Sequence, residues 1–180
     1  MKGVLTSIAY KRTSKKTLVH LFVRGEDKKR WKYTFQGSPY FYIREADLPM
    51  LQLLSSNLQS KCTLDSDNSG YIGYDGETIR RIYIPTPPDC PPIRDELHDM
   101  GVWTYEADVP YVNRWLIDEG IKLGLEIDNN GLNPLPDYYI KPRYWIIDIE
   151  ALVETEEKID VKGPEAIICI GIYDSYDKKY

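Results

Sequence analysis

Two carboxylates offer the most direct chemistry in this sequence. Asp148 and Glu150 stand two residues apart in the apolar run YWIIDIEALV. In an extended strand, residues i and i+2 point to one face, so both carboxylates would project together. Two adjacent acids in an apolar strand are costly unless something compensates them. A divalent cation is the usual compensation, and paired carboxylates suit Mg2+ or Mn2+. D-x-E is a short string, and the competing reading is an edge strand with one solvent-exposed face. A second set of residues is aromatic and proline-rich: Ser38-Pro39-Tyr40, Asp89-Cys90-Pro91, and Val109-Pro110-Tyr111 followed by Arg114. Rigid proline-aromatic corners form preshaped flat slots, so a planar ring binding there loses little entropy. The competing reading is three ordinary turns with tyrosine laid on proline. His20 sits in a strand and His98 near a helix end, and neither is expected to have a functional role. There is no Gly-rich phosphate loop, no G-x-S-x-G and no Cys/His pair at ligand spacing.

The elements that must position these residues follow from pattern and punctuation. Residues 3–10, 18–24, 31–36 and 40–44 read as short strands rich in Val, Ile, Phe, Tyr and Thr. Asp47 is the expected N-cap of a helix over 48–59, with Leu48, Leu51, Leu54 and Leu58 at helical spacing. Asp75-Gly76, between YIGY and ETIRRIYI, predicts a hairpin with a two-residue turn. PTPPDCPP over 85–92 forces a stiff, extended connection. A short helix over 92–100 ends at Gly101, and WTYEA is a strand. Asp108 is expected to cap a helix that begins near Pro110 and ends at Gly120. Residues 128–143, DNNGLNPLPDYYIKPR, hold three prolines and a glycine in a polar stretch and read as a linker. Two apolar strands follow, YWIIDIEALV and AIICIGIYD, joined by the acidic hairpin ETEEKIDVKGPE. Two strands cannot bury both faces alone, so residues 144–180 read as the start of a domain whose remainder is absent.

Composition narrows the class. The chain has 180 residues, 42% of them hydrophobic and 28% charged, which is ordinary globular usage and excludes wholesale disorder. No apolar run approaches the ~20 residues of a membrane span, and MKGVLTSIAYKR lacks the apolar core of a secretory signal. Three cysteines, Cys62, Cys90 and Cys169, are odd in number and far apart, which fits a reducing cytoplasm. The net charge is −5, yet residues 1–35 carry ten Lys/Arg against two acids. A globally acidic chain is a poor generic nucleic-acid binder, but a basic N-terminal face can steer a polyanion locally. A solvated Lys-rich surface is the plainer reading of that run.

In this order and spacing, the segments resemble the N-terminal region of archaeal family B DNA polymerases. WTYEADVPYVNRWLIDEGI (103–121) is similar to that family's strand, acidic-apolar-Pro-aromatic turn and helix. SPYFYI (38–43) resembles its Pro-Tyr strand, and IYIPTPPDCPPIRDEL (82–97) its strand-to-helix connection. YWIIDIEA (144–151) resembles its first exonuclease motif and KGPEAIICIGI (162–172) the strand after it. The resemblance covers nearly the whole chain. It implies an α+β fold: a curled antiparallel sheet over 1–44, then an α/β sandwich, βαβ-like, to residue 127. The linker over 128–143 would lead to the first strands of an RNase H-like exonuclease sheet over 144–180. It implies a module that binds single-stranded template DNA and captures deaminated bases, chiefly uracil, with Tyr10, Pro39, Tyr40, Cys90, Val109, Pro110, Tyr111 and Arg114 falling on the pocket. Shape would exclude the thymine methyl, while Arg114 would brace the pocket or meet phosphate. Cys90 and Val109 stand where small apolar residues are usual, and Tyr111 where Phe is frequent.

The same resemblance implies that Asp148 and Glu150 are catalytic, metal-binding ligands of a 3′→5′ exonuclease that uses Mg2+ or Mn2+ in the complete enzyme. Ala151 stands where Thr is usual. The later motifs that exonuclease needs, N-x-x-x-F-D-like and Y-x-x-x-D, and the D-T-D-type aspartates of the polymerase are expected to be missing after residue 151. A fragment of a DNA-directed DNA polymerase, non-catalytic alone and holding no metal tightly, is therefore expected. Its partners would be template DNA, with the rest of the polymerase or other replication proteins, and no membrane. Two alternatives remain open. One is a metal-dependent 3′→5′ exonuclease completed by a partner chain or the missing remainder. The other is an acidic scaffold that touches replication proteins and no DNA.

Overall fold

Alternating apolar residues build the first sheet. In β2 (Thr17–Gly25), Val19, Leu21 and Val23 are fully buried, while His20 and Phe22 occupy the outer face. β1 (Lys2–Arg12) and β3 (Arg30–Gly37) flank it in antiparallel register, Tyr10 opposite Val19 and Phe35 opposite Val19. The computed structural model describes residues 1–13, 16–67, 70–129, 131–141, 143–152 and 166–178. It divides into two units, residues 1–139 and 140–180.

β4 (Tyr40–Arg44) leaves the first sheet and opens a second. Phe41 and Ile43 turn inward to a core with Ile82, Ile93 and Leu97, while Tyr40 and Tyr42 share the opposite face. The helix expected over 48–59 is broken. A 3-10 stretch runs over Glu45–Leu53, and α1 (Ser56–Gln59) is one separate turn. Pro49 lies inside that stretch, and a proline has no N–H to give and clashes with the turn before it. Asp47 accordingly caps nothing: the residue before the 3-10 stretch is Arg44.

β5 (Thr63–Leu64), β6 (Tyr71–Ile72) and β7 (Thr78–Tyr83) follow. The β6–β7 hairpin forms, with a three-residue loop rather than the expected two. The Gly73 N–H donates to the Glu77 carbonyl at 2.8 Å, leaving Tyr74-Asp75-Gly76 as the loop. Gly76 takes φ 83°, the left-handed position that closes such loops and favours glycine. α2 spans Cys90–Asp99, starting two residues earlier than expected because Pro91 and Pro92 stand in a first turn that needs no N–H from them. β8 (Thr104–Tyr105) pairs with β4, giving the sheet order β5-β7-β4-β8, with β6 on β7. β7 and β8 both run antiparallel to β4 between them, so α2 links two parallel, non-adjacent strands. The βαβ-like expectation is thus met only in split form.

α3 (Tyr111–Asp118) buries Trp115 against β2 residues Val19, Leu21 and Val23. Pro110, not Asp108, stands at its N-cap. Its carbonyl accepts from Asn113 and Arg114 at 2.9 and 3.1 Å, while Asp108 lies within the Glu106–Val109 turn. The chain then returns to the first sheet. β9 (Gly124–Asp128) pairs with β1, and β10 (Gly131–Leu135) pairs with β9, so the sheet order is β10-β9-β1-β2-β3. The stretch read as a linker from 128 therefore contributes an edge strand. Pro134 fits there because an edge position needs no ladder N–H on its outer side.

In the second unit, β11 (Trp145–Leu152) and β12 (Ala166–Asp174) form a two-stranded antiparallel sheet. Ile146, Ile147, Ile149, Ile168, Ile170 and Ile172 are all exposed, as two strands without further layers require. The acidic segment expected to join them, 154–165, lies outside the described residues, as do Val153 and the KGPE part of the 162–172 segment. Among the described residues no helix is long and apolar enough to cross a membrane. The described pairings are mostly antiparallel with few helices, an α+β arrangement.

Candidate nucleobase-sized slot

Three separate segments meet around a cavity of about 220 Å³ in the first unit. Pro39 and Tyr40 come from the start of β4, and Cys90 from the first turn of α2. Val109, Pro110 and Tyr111 come from the turn into α3, and Arg114 from its first turn. Seven of the eight residues singled out for the pocket thus line one cavity. Tyr10 does not line it. Its ring meets that of Tyr111 edge-on, with centroids 5.7 Å apart, so it backs one wall. Ile84 and Pro87 add further apolar lining beside Pro91 of the proline-rich set.

The walls are held by a polar frame. The Tyr40 hydroxyl donates to both carboxylate oxygens of Asp118, at 2.7 and 2.8 Å. Burial, reinforced by that carboxylate, drives the Tyr40 phenol far above its ordinary value. The guanidinium of Arg81 lies 4.5 Å from the Tyr40 ring centroid and that of Arg114 5.4 Å, both within cation–π range. Arg114 is mostly buried and forms an ion pair with Glu106, with Asp118 3.8 Å away. Asp118, four residues on along α3, is a partner readable from spacing. Glu106 is not readable so: its backbone adopts φ 61°, a left-handed conformation uncommon for such a residue.

No group here offers ordinary nucleophilic chemistry. The Cys90 thiol donates to the Ala107 carbonyl at 3.4 Å, and burial pushes it up to about 11, so it stays a thiol at neutral pH. Burial, with the nearby Asp118 charge, pushes Tyr111 up to about 12. The Tyr111 hydroxyl is buried without a hydrogen-bond partner among the described residues. It presses on the backbone of Gly37, where a side chain would collide with it. The tyrosine and cysteine walls of the slot stay protonated at neutral pH, which suits a flat ring stacked between them.

Asp148 and Glu150 lie in the second unit on alternate positions of β11, opposite Gly171 and Cys169. A β-bulge follows Glu150. The pair is two hard oxygen donors, which fits Mg2+ or Mn2+ in kind. The opposing thiol is a soft ligand and does not extend that set. Among the described residues no group of three His, Cys, Asp or Glu is placed to hold a metal ion. A Y-x-x-x-D string, expected to be missing after residue 151, is present as Tyr173-Asp174-Ser175-Tyr176-Asp177 with Asp177 as its acid, and the intervening Asp174 pairs with Arg143. The His20 ring meets the Thr34 hydroxyl at 2.9 Å, and the His98 ring meets the Thr104 hydroxyl at 3.0 Å and stacks on Trp103.

The fold is shared with a solved family B DNA polymerase from the hyperthermophilic archaeon Pyrobaculum calidifontis, with a TM-score of 0.75. Identity is 18%, and the match covers 99% of this chain and 26% of that chain. The present chain thus spans about a quarter of that polymerase. No family model matches the sequence, and no curated protein does.

Proposed function

We propose that this chain is the N-terminal portion of an archaeal-type family B DNA polymerase. In it the first unit binds single-stranded template DNA and takes a uracil base into the Pro39–Tyr111 slot. The observation that carries this reading is the convergence of Pro39, Tyr40, Cys90, Val109, Pro110, Tyr111 and Arg114 on one small cavity, in a chain with a polymerase-like fold. Tyrosine and proline walls stack on a pyrimidine, and a tight slot disfavours the added methyl of thymine. Backbone groups of the turn into α3 would read the base edge. Arg114, engaged by Glu106, braces Tyr40 rather than meeting phosphate. The basic N-terminal segment draws the strand in.

Asp148 and Glu150 are, on this reading, the first two ligands of an exonuclease centre, and a bound Mg2+ or Mn2+ would there activate water for phosphodiester hydrolysis. Their placement supports a contribution to that centre and no turnover by this chain alone. Fluorescence anisotropy tests the reading, using a labelled single strand with one internal uracil against its thymine twin at fixed salt. Uracil is expected to bind more tightly, and Tyr40→Ala and Arg114→Ala to weaken it. Loss of one stacking partner is worth ~1–3 kcal/mol. Equal affinity for the two strands would refute uracil capture, and no salt-dependent binding to either would refute template binding.

A further inference from the structure

Beside the slot lies a second cavity, of about 300 Å³, and both have Glu106 and Arg114 in their walls. The second is lined by four tyrosines: Tyr42, Tyr71, Tyr74 and Tyr105. Tyr42 and Tyr71 meet edge-on at 5.3 Å, and Tyr74 and Tyr105 at 5.5 Å. Three of the four are held in place. Tyr42 and Tyr105 are buried, and Tyr71 carries the Arg81 guanidinium 4.8 Å from its ring. The Tyr105 hydroxyl donates to Asp75 at 2.5 Å and accepts from Arg44 Nε at 3.0 Å. Asp75 belongs to the same three-residue loop as Tyr74, so this network ties the loop to the cavity. Tyr74 alone is 83% exposed, with its ring edge-on to Tyr105. The partition between the cavities rests on Glu106, whose left-handed backbone is the kind of strain that gathers at ligand clamps.

We infer that the second cavity takes the base adjacent to the one held in the slot. The chain would then grip a strand by two consecutive bases on either side of the Glu106–Arg114 ion pair. This inference rests on the base-capture reading above. The lining chemistry selects a base rather than a phosphate: Arg114 is already neutralised by Glu106, and the remaining lining is aromatic and apolar. Every base has a π face, so tyrosine walls would accept any of the four, whereas the slot discriminates by shape.

The test uses the whole chain and single strands carrying one uracil, with an abasic residue placed immediately 5′ or 3′ of it. One of the two abasic strands is expected to bind more weakly than the intact strand, on the order of five- to a hundredfold. Tyr74→Ala should lower affinity for the intact strand by a similar factor and erase its advantage over that abasic strand. Tyr74→Phe should preserve both. If both abasic strands bind like the intact one while uracil is still preferred over thymine, the two-base grip is refuted and single-base capture stands. An abasic penalty that Tyr74→Ala leaves unchanged would refute this cavity as the place where the neighbour sits. No preference for uracil over thymine would overturn base capture and this inference together.

Discussion

Tyr111→Phe should make the protein more stable. The Tyr111 hydroxyl is buried, has no hydrogen-bond partner among the described residues, and lies against the backbone of Gly37. A polar group buried without a partner costs about 1–3 kcal/mol, because its hydrogen bonds to water are not replaced. Removing it while keeping the ring preserves the edge contact with Tyr10 and the apolar contact with Trp115. The expected gain is about 1 kcal/mol, or a rise in Tm of roughly 2–4 °C for a chain of this size. Gly37→Ala probes the same spot from the other side. Its new methyl would collide with the hydroxyl and lie 3.2 Å from Trp115 Cδ1. Overpacking of this kind costs about 1–3 kcal/mol. Because the hydroxyl is the nearest obstacle, Gly37→Ala should cost less in the Tyr111→Phe background, and a double-mutant cycle by urea unfolding measures the difference. A Tyr111→Phe protein less stable by 1 kcal/mol or more, or strictly additive costs, would refute the unpaired-hydroxyl argument.

Other outcomes follow from the same geometry. Cys62 and Cys90 are both pushed up to about 11 by burial, while Cys169 is exposed. Iodoacetamide at neutral pH should therefore label Cys169 first, and mass spectrometry should find labelling of the other two rising as pH climbs toward 11. Tyr111 favours its neutral form in the fold, so its contribution is complete below pH 10 and is lost as pH rises toward about 12. The alkaline limb of a stability profile should be shallower in Tyr111→Phe. Asp75 is held down to about 2 by the Tyr105 hydroxyl and then Arg44. Its contribution is complete above pH 4 and is lost as pH falls toward 2, a loss that Asp75→Asn should abolish in acid titration of the fold. Phe41→Ala, at a fully buried position, should cost about 3–5 kcal/mol in denaturant unfolding.

Legibility in the sequence followed the range of the forces involved. β2 could be read because Val19, Leu21 and Val23 alternate strictly, and Gly101 and Gly120 because helix ends favour glycine at positive φ. The proline-aromatic corners announced the slot walls. What stayed hidden was nonlocal. Nothing in GLEID declares that it pairs with β1, more than a hundred residues earlier. Glu106 reads as an ordinary surface acid until the turn folds it onto Arg114. Pro49 sits among leucines at helical spacing, and the chain resolves that conflict with a 3-10 stretch. Asp148 and Glu150 share a strand as their spacing demands, but a metal site is a property of several segments.

The pairing of β9 with β1 also dictates an order of events as the chain leaves the ribosome. The second sheet, between residues 40 and 105, closes over shorter sequence separations than the β1–β9 pairing and takes no strand from beyond residue 105. β1, by contrast, keeps one bare edge until residues 124–128 have emerged. Trp115 and Tyr111 pack in the same apolar cluster as Leu125 and Ile127. One wall of the slot therefore sets only when that late strand docks. A nascent chain of 120 residues would carry every residue of the slot and still lack the slot itself, since long-range strand pairing is the slow step in assembling such sheets.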